Sequence, residues 1–317
     1  MNKHKVFVDG SAGTTGLQIF QRLEAREDIE LLTLSEEHRK DINARREAIN
    51  ASDIVFLCLP DAAAVEAVSL VENEKTRVID ASTAHRTAPG WTYGFPELSS
   101  QQREEIASAR YVANPGCHAS GAVASIVPLR STGILPEDYP LVIYSLTGYS
   151  GGGKSMIADY EAADKPEALF SPRIYGLNQT HKHLPEIMAI GGLRRAPVFC
   201  PVVDDYYCGM ATSICLHNDL LGRTLSAEEI RNALFAWYAG QRFVTVAPFV
   251  NTGFLESNAY VGTNHMVLTV TGNADRTVIT ARFDNLGKGA SGAAIQNMNI
   301  MLGLPEETGL EQGGLAE

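Results

Sequence analysis

Residues 5–23 read Lys5-Val6-Phe7-Val8-Asp9-Gly10-Ser11-Ala12-Gly13-Thr14-Thr15-Gly16-Leu17-Gln18-Ile19-Phe20-Gln21-Arg22-Leu23, and they set the fold class of the chain. The apolar run over 5–9 predicts a strand, Gly10 to Gly16 a turn, and the spacing over 17–23 a helix. Gly10, Gly13 and Gly16 follow a GxxGxxG pattern, a variant of the dinucleotide-binding fingerprint. Glycines there let a pyrophosphate approach backbone N–H groups at a helix N-terminus, with Ser11, Thr14 and Thr15 between them. Glycines also serve ordinary turns, so the strand before and the helix after give the spacing its meaning. Further strands are predicted over 31–34, 54–59 and 77–80, alternating with helical segments. That alternation predicts a doubly wound parallel sheet.

Beyond residue 117 the pattern changes to longer alternating runs over 141–147, 210–216 and 266–271, which predict a mixed or antiparallel sheet. A last helix is expected over 289–304, ending at Gly303 with Pro305 beyond it and a surface tail after that. A chain of 317 residues, 45% hydrophobic, can bury a sizeable core and is expected to form two domains. The five cysteines, at 58, 117, 200, 208 and 215, include no CxxC pair and fit neither a disulfide framework nor a zinc ribbon. A reducing cytoplasm is the expected compartment. The first residues lead into a strand without an apolar signal core, and no apolar run approaches roughly 18 residues, so neither export by that route nor a membrane span is expected. A formal net charge of -11 opposes binding to nucleic acid and to anionic membranes. An anionic substrate must be met by a few local basic residues.

Residues 112–121 read Val112-Ala113-Asn114-Pro115-Gly116-Cys117-His118-Ala119-Ser120-Gly121. Asn-Pro-Gly forces a tight turn. Cys117 then opens a predicted helix, where unpaired N–H groups and the helix dipole favour a thiolate. Buried cysteines are usually inert, but this turn and its small flanks make Cys117 a candidate nucleophile. Thr180-His181-Lys182-His183-Leu184-Pro185-Glu186 supplies two histidines two apart before a proline suited to a helix's first turn. Extended geometry would put both on one side. A third ligand at metal-site spacing is lacking, so no metal is expected. An imidazole suits proton transfer beside a thiolate, and Glu186 could orient it; the residues leave open whether His181 or His183 points inward.

Arg86 follows a predicted strand at the carboxyl edge of the sheet, where ligands of open α/β folds bind, and is a candidate anion clamp. Gly148-Tyr149-Ser150-Gly151-Gly152-Gly153-Lys154 is a second glycine-rich loop whose Lys154 could meet a phosphate or carboxylate; it is not a Walker A sequence. Ser35 stands about 20 residues beyond the first glycine turn, where NAD sites usually place a carboxylate. Ser35 and Arg39 suit a 2'-phosphate and favour NADP, while Glu36 and Glu37 pull the other way.

Taken with Asp284-Asn285-Leu286-Gly287-Lys288-Gly289-Ala290-Ser291-Gly292, these stretches resemble the short form of the N-acetyl-gamma-glutamyl-phosphate reductase family, itself related to aspartate-semialdehyde dehydrogenase. The resemblance spans nearly the whole chain in order. It implies a Rossmann-like parallel-sheet domain over 1–116 and 284–317, and an α+β catalytic and oligomerisation domain with a mixed sheet over 117–283. It implies Cys117 as nucleophile, His183 as acid/base with His181 beside it, Asn297 near the nicotinamide, and Asn114 beside the substrate. It also implies NADP as cofactor, a small acyl phosphate, its semialdehyde and phosphate as reactants, and a homo-oligomer, dimer or tetramer. Lys154 stands where many members carry arginine, and Cys208 replaces a common arginine. The alternatives are an aspartate-semialdehyde dehydrogenase-like acyl-phosphate reductase, a Cys/His hydrolase, which leaves the glycine turn unexplained, and a nucleotide-sensing module that has lost catalysis.

Overall fold

A computed structural model describes residues 3–310. Their contacts divide them into two units, 3–115 with 290–310, and 116–289. Residues 284–289 thus stay with the second unit, and the chain re-enters the first at Ala290 rather than at Asp284.

The first unit holds six strands: β1 (His4–Asp9), β2 (Ile29–Leu32), β3 (Ile54–Leu57), β4 (Arg77–Asp80), β5 (Thr92–Tyr93) and β6 (Tyr111–Ala113). They pair parallel throughout, in the order β2-β1-β3-β4-β6-β5. β3 is buried at every position, as a strand covered on both faces must be, so it reads as a continuous apolar run. Helices α1 (Thr14–Glu24), α2 (Ile42–Ala51), α3 (Asp61–Ser69) and α4 (Ser100–Ser108) connect the strands. Asp41 caps α2 by accepting the N–H groups of Asn43 and Ala44. Phe7, Val55, Leu57 and Val78 pack with Ala64 and Ala67 of α3 to form a core. β2 starts earlier than its apolar run suggests, because its register on β1 runs from His4–Ile29 to Phe7–Leu32. β5 and β6 have too few residues to show a periodicity.

One π-helical turn (Gly287–Ser291) leads into α9 (Gly292–Met301), which packs on α1, α4 and β4. The segment after Pro305 is not a surface tail as far as residue 310. Asn299 donates to the Thr308 carbonyl at 2.9 Å, Arg26 donates to Asn299 Oδ1 at 2.6 Å, and Leu310 is buried. The end of the expected tail, 311–317, lies outside the described residues.

The second unit comprises α5 (Cys117–Ser131), β7 (Val142–Gly148), α6 (Gly153–Glu161), β8 (Arg173–Ile174), α7 (Leu184–Gly191), β9 (Val198–Asp204), β10 (Met210–His217), α8 (Ala227–Trp237), β11 (Val244–Val246), β12 (Met266–Gly272) and β13 (Arg276–Phe283). Its sheet runs β11-β12-β13-β10-β7-β9-β8 and is mixed: β7/β9 and β11/β12 are parallel, the remaining pairs antiparallel. Alternation in β7 buries Ile143, Ser145 and Thr147. Register places Ser145 beside Thr212 of β10. α5 is buried on almost every side and packs against α7, α8, β10 and β13, which is why it carries small and apolar residues all round.

Candidate active site

Cys117 is the first residue of α5 and is partly buried. Its N-cap, Gly116, is extended and offers no side chain, so the first turn of α5 is left to present its N–H groups and positive dipole end. Close approach requires Gly289: a Cβ there would sit 3.0 Å from the Cys117 Cβ.

α7 brings the second motif to the same place. Pro185 occupies its first turn and His183 its N-cap. Glu186, 2% exposed, accepts the Gly116 N–H at 2.9 Å. This bond ties α7 to the residue before Cys117, a contact that the expected role of Glu186 beside a histidine did not include. Residues 181–183 lead into α7 through a turn and are not extended. The His181 and His183 rings still meet, with centroids 4.8 Å apart. His181 Nδ1 accepts the His183 N–H at 3.2 Å, which puts the proton of a neutral His181 on Nε2. His183 is buried and His181 only partly so.

A third imidazole joins them. His118 is buried, with ring centroids 5.5 Å from His181 and 5.7 Å from His183. Its Nδ1 lies 2.7 Å from Ser145 Oγ and its Nε2 2.6 Å from Tyr175 Oη. Burial above all, then the charges of His181 and Lys182, pushes its pKa down to about 3, so the ring is neutral. Sequence reading passed over His118 and Tyr175. The available signal was weak: a histidine directly after the candidate nucleophile, and polar Ser145 and Thr212 at inward positions of alternating strands.

The proposed anion contacts fare differently. Lys154 is exposed in the first turn of α6, and the glycine-rich stretch before it forms a 3-10 turn (Tyr149–Gly152). In the first unit Arg86 is buried, donating to the Asn114 and Ala81 carbonyls, each at 3.2 Å. Asn114 donates to the Ala290 carbonyl at 3.0 Å and accepts from Asn297 Nδ2 at 3.3 Å. Both side chains hold the loop ends at the carboxyl edge of β4 and β6.

The glycine turn lies at the carboxyl end of β1, where the strand order reverses between β1 and β3, the place where open parallel sheets bind ligands. Gly10 has φ +88°, and a Cβ would meet the Cys58 carbonyl oxygen at 2.3 Å. A Cβ on Gly16 would meet the Gly10 oxygen at 2.3 Å, whereas one on Gly13 would reach nothing nearer than 3.4 Å. The turn is therefore tight beneath and open over Gly13, the N-cap of α1, which makes no side-chain cap. Ser11, Thr14 and Thr15 line it, partly buried. Asn297 donates to the Gly94 carbonyl at 2.8 Å, and its buried Oδ1 has no partner among the described residues. A free buried acceptor of this kind fits a carboxamide N–H₂, and the open turn fits a pyrophosphate. Past β2, Ser35 Oγ lies 2.9 Å from His38 Nδ1, and Arg39 pairs with Glu36 at 3.1 Å. Among the described residues no group of three or more His, Cys, Asp or Glu could hold a metal ion.

Residues 117–285 match the family model of the semialdehyde dehydrogenase dimerisation domain, and 5–109 that of the semialdehyde dehydrogenase NAD binding domain. N-acetyl-gamma-glutamyl-phosphate reductase 2 of Nostoc sp. is 48% identical, over 98% of this chain and 100% of its own length. The chain belongs to the N-acetyl-gamma-glutamyl-phosphate reductase family. The Pseudomonas putida relative named N-acetyl-gamma-glutamyl-phosphate reductase 2 is 49% identical over 96% of this chain and 98% of its own, and the Rhizobium etli reductase 48% over 94% and 98%. Aspartate semialdehyde dehydrogenase II of Vibrio cholerae, solved with ASA, superposes with a TM-score of 0.72 at 14% identity, covering 95% of this chain and 99% of that one. At that identity the likeness speaks for the fold. Family membership makes the chain an oxidoreductase with a nicotinamide-cofactor domain, and the expected α/β class, parallel sheet and mixed sheet are all present. No helix of the described residues is long and apolar enough to cross a membrane.

Proposed function

We propose that this reductase converts N-acetyl-L-glutamyl 5-phosphate to N-acetyl-L-glutamate 5-semialdehyde with NADPH, releasing phosphate, as a step of arginine biosynthesis in the cytoplasm. The observation that carries it is the Glu186–Gly116 hydrogen bond, which joins the histidine motif to the cysteine turn in a chain about half identical to reductases of that name.

The Cys117 thiolate, at the positive end of α5, adds to the acyl carbon; the C–S bond forms, the carbon–phosphate oxygen bond breaks, and phosphate leaves with the bonding pair. Lys154 is the exposed cation offered to that phosphate, while Arg86 and Asn114 shape the loop beside the substrate. Gly10, Gly13 and Gly16 would hold the cofactor's pyrophosphate and Asn297 its carboxamide, and the nicotinamide would supply the hydride that reduces the thioester, a far better acceptor than a carboxylate. His183 gives a proton to the resulting hemithioacetal oxygen and takes it back as the C–S bond breaks. His181 accepts the His183 backbone N–H and fixes the turn. Ser35 and Arg39 meet the 2'-phosphate of NADP, and the second unit supports a homo-oligomer, dimer or tetramer.

The test is phosphate-dependent NADP reduction with N-acetyl-glutamate semialdehyde, run beside aspartate semialdehyde. Turnover with the acetylated substrate alone is expected, and Cys117→Ser is expected to abolish it while NADP still binds. Turnover with aspartate semialdehyde instead, or substantial activity in Cys117→Ser, would overturn the reading.

A further inference from the structure

Four side chains of the second unit form one hydrogen-bonded chain: Thr212 Oγ1 to Ser145 Oγ at 2.8 Å, Ser145 Oγ to His118 Nδ1 at 2.7 Å, and His118 Nε2 to Tyr175 Oη at 2.6 Å. Thr212, Ser145 and His118 are buried. Each hydroxyl and the neutral imidazole carry one proton, so the chain has a direction. Among the described residues Thr212 Oγ1 has no other hydrogen-bond partner. Run from Tyr175 towards Thr212, the chain would strand the Thr212 hydroxyl hydrogen in the core, desolvated and without an acceptor. Run the other way, every buried donor is used: Thr212 donates to Ser145, Ser145 to Nδ1, and Nε2–H to the Tyr175 oxygen. The hydroxyl hydrogen left over is that of Tyr175.

That hydrogen is at the active site. Tyr175 follows β8, its ring packs beside His118, the residue next to Cys117, and beside His181, and a Cys117 charge weighs on its phenol less than burial does. Burial and that charge both push the phenol pKa above its ordinary value, so it remains a donor.

On the Cys117 chemistry proposed above, we infer that Tyr175 is a catalytic residue whose hydroxyl donates a hydrogen bond to the oxygen of the acyl group carried by Cys117. As the C–S bond forms, the carbonyl π pair moves onto that oxygen, and the phenol stabilises the charge while keeping its own O–H bond. The pair returns to carbon when phosphate leaves. Thr212, Ser145 and His118 are positioning residues: they fix the His118 tautomer and thereby leave the phenol hydrogen free.

Two reagents separate this role from a structural one. Acylation of Cys117 by p-nitrophenyl acetate passes through an oxyanion, whereas alkylation by iodoacetamide does not; Cys117→Ala supplies the background for both. Tyr175→Phe is expected to slow acylation on the order of 10²-fold, the usual effect of losing one oxyanion donor, with alkylation changed less than about twofold. Ser145→Ala frees the tautomer and is expected to slow acylation about fivefold, equivalent to one ordinary hydrogen bond; it decides the matter if Tyr175→Phe does not fold. Unchanged acylation overturns the inference. So does a parallel fall in both reactions, which would mean that Tyr175 supports the thiolate, and so does a wild-type Cys117 that the ester fails to acylate. Failure of the proposed reaction shows elsewhere, as wild-type protein without phosphate-dependent turnover, and leaves the ester readout intact.

Discussion

Replacing Gly13 and Gly16 by alanine, one at a time, separates two jobs of one turn. A Cβ on Gly13 would lie 3.4 Å from the Gly10 oxygen and 3.9 Å from that of Cys58, both ordinary contacts. Its φ of -76° and ψ of 168° suit any residue. The poorer N-cap costs about 0.5–1 kcal/mol, and the stiffer unfolded chain returns a similar amount. Stability is expected to stay within about 1 kcal/mol, a melting shift of roughly 2–4 °C. The methyl group nevertheless fills the open side of the turn. Losing one charged N–H to phosphate bond is worth about 2 kcal/mol, or roughly thirtyfold in Kd. Gly16→Ala differs, since its Cβ would sit 2.3 Å from the Gly10 oxygen and 3.0 Å from Gly10 C and Ser11 Cα. Backbone has to move, at about 1–3 kcal/mol, so melting temperature and affinity fall together. A fluorescence titration with NADPH and a thermal melt on the same preparations read both quantities. Gly13→Ala binding NADPH as tightly as wild type, or Gly16→Ala melting with it, would refute the reasoning.

Glu186→Ala strands the Gly116 N–H and is expected to lose about 2 kcal/mol in urea unfolding, with Glu186→Gln losing less because it keeps an acceptor; equal stability of the two variants would count against the assigned bond. His118 makes stability depend on pH. Its pKa falls from 6.5 in the unfolded chain to about 3 in the folded one, so below pH 6.5 the unfolded state takes a proton that the folded state refuses. The effect vanishes above pH 6.5 and grows as pH falls towards 3, to roughly 4 kcal/mol. His118→Gln should flatten the acid limb of the stability profile over that window, and an unchanged slope would contradict the burial argument. Burial pushes the Cys58 and Cys208 thiols up to about 12, so neither is expected to react with a disulfide reagent at neutral pH until the protein unfolds; mass mapping of labelled native protein checks this.

Much of the architecture was legible because it rests on local patterns. The glycine turn between β1 and α1 shows in seven residues, since only glycine fits where a Cβ would meet a carbonyl at 2.3 Å. Strands β3, β4, β7, β10 and β12 have apolar runs long enough to read. The catalytic candidates Cys117, His181 and His183 were visible from residue type and the turns before them. β5 and β6 were not, being too short, and the packing of Leu310 was not, because burial near a chain end depends on partners distant in sequence.

What the residues could not assign were roles set by long-range partners. Glu186 is expected from the sequence to orient a histidine, and the bond it makes to the Gly116 N–H, 70 residues away, is visible only in the fold. Arg86 is expected from the sequence as an anion clamp, and its burial and its bonds to the Asn114 and Ala81 carbonyls are visible only in the fold. The Thr212–Ser145–His118–Tyr175 chain draws on β10, β7, α5 and the end of β8. Its direction follows from one buried threonine hydroxyl with a single partner. Sequence fixes which groups can donate or accept. Which of them meet, and so which proton remains free beside Cys117, is decided when strands distant in sequence come into register and exclude the water that would otherwise serve every donor.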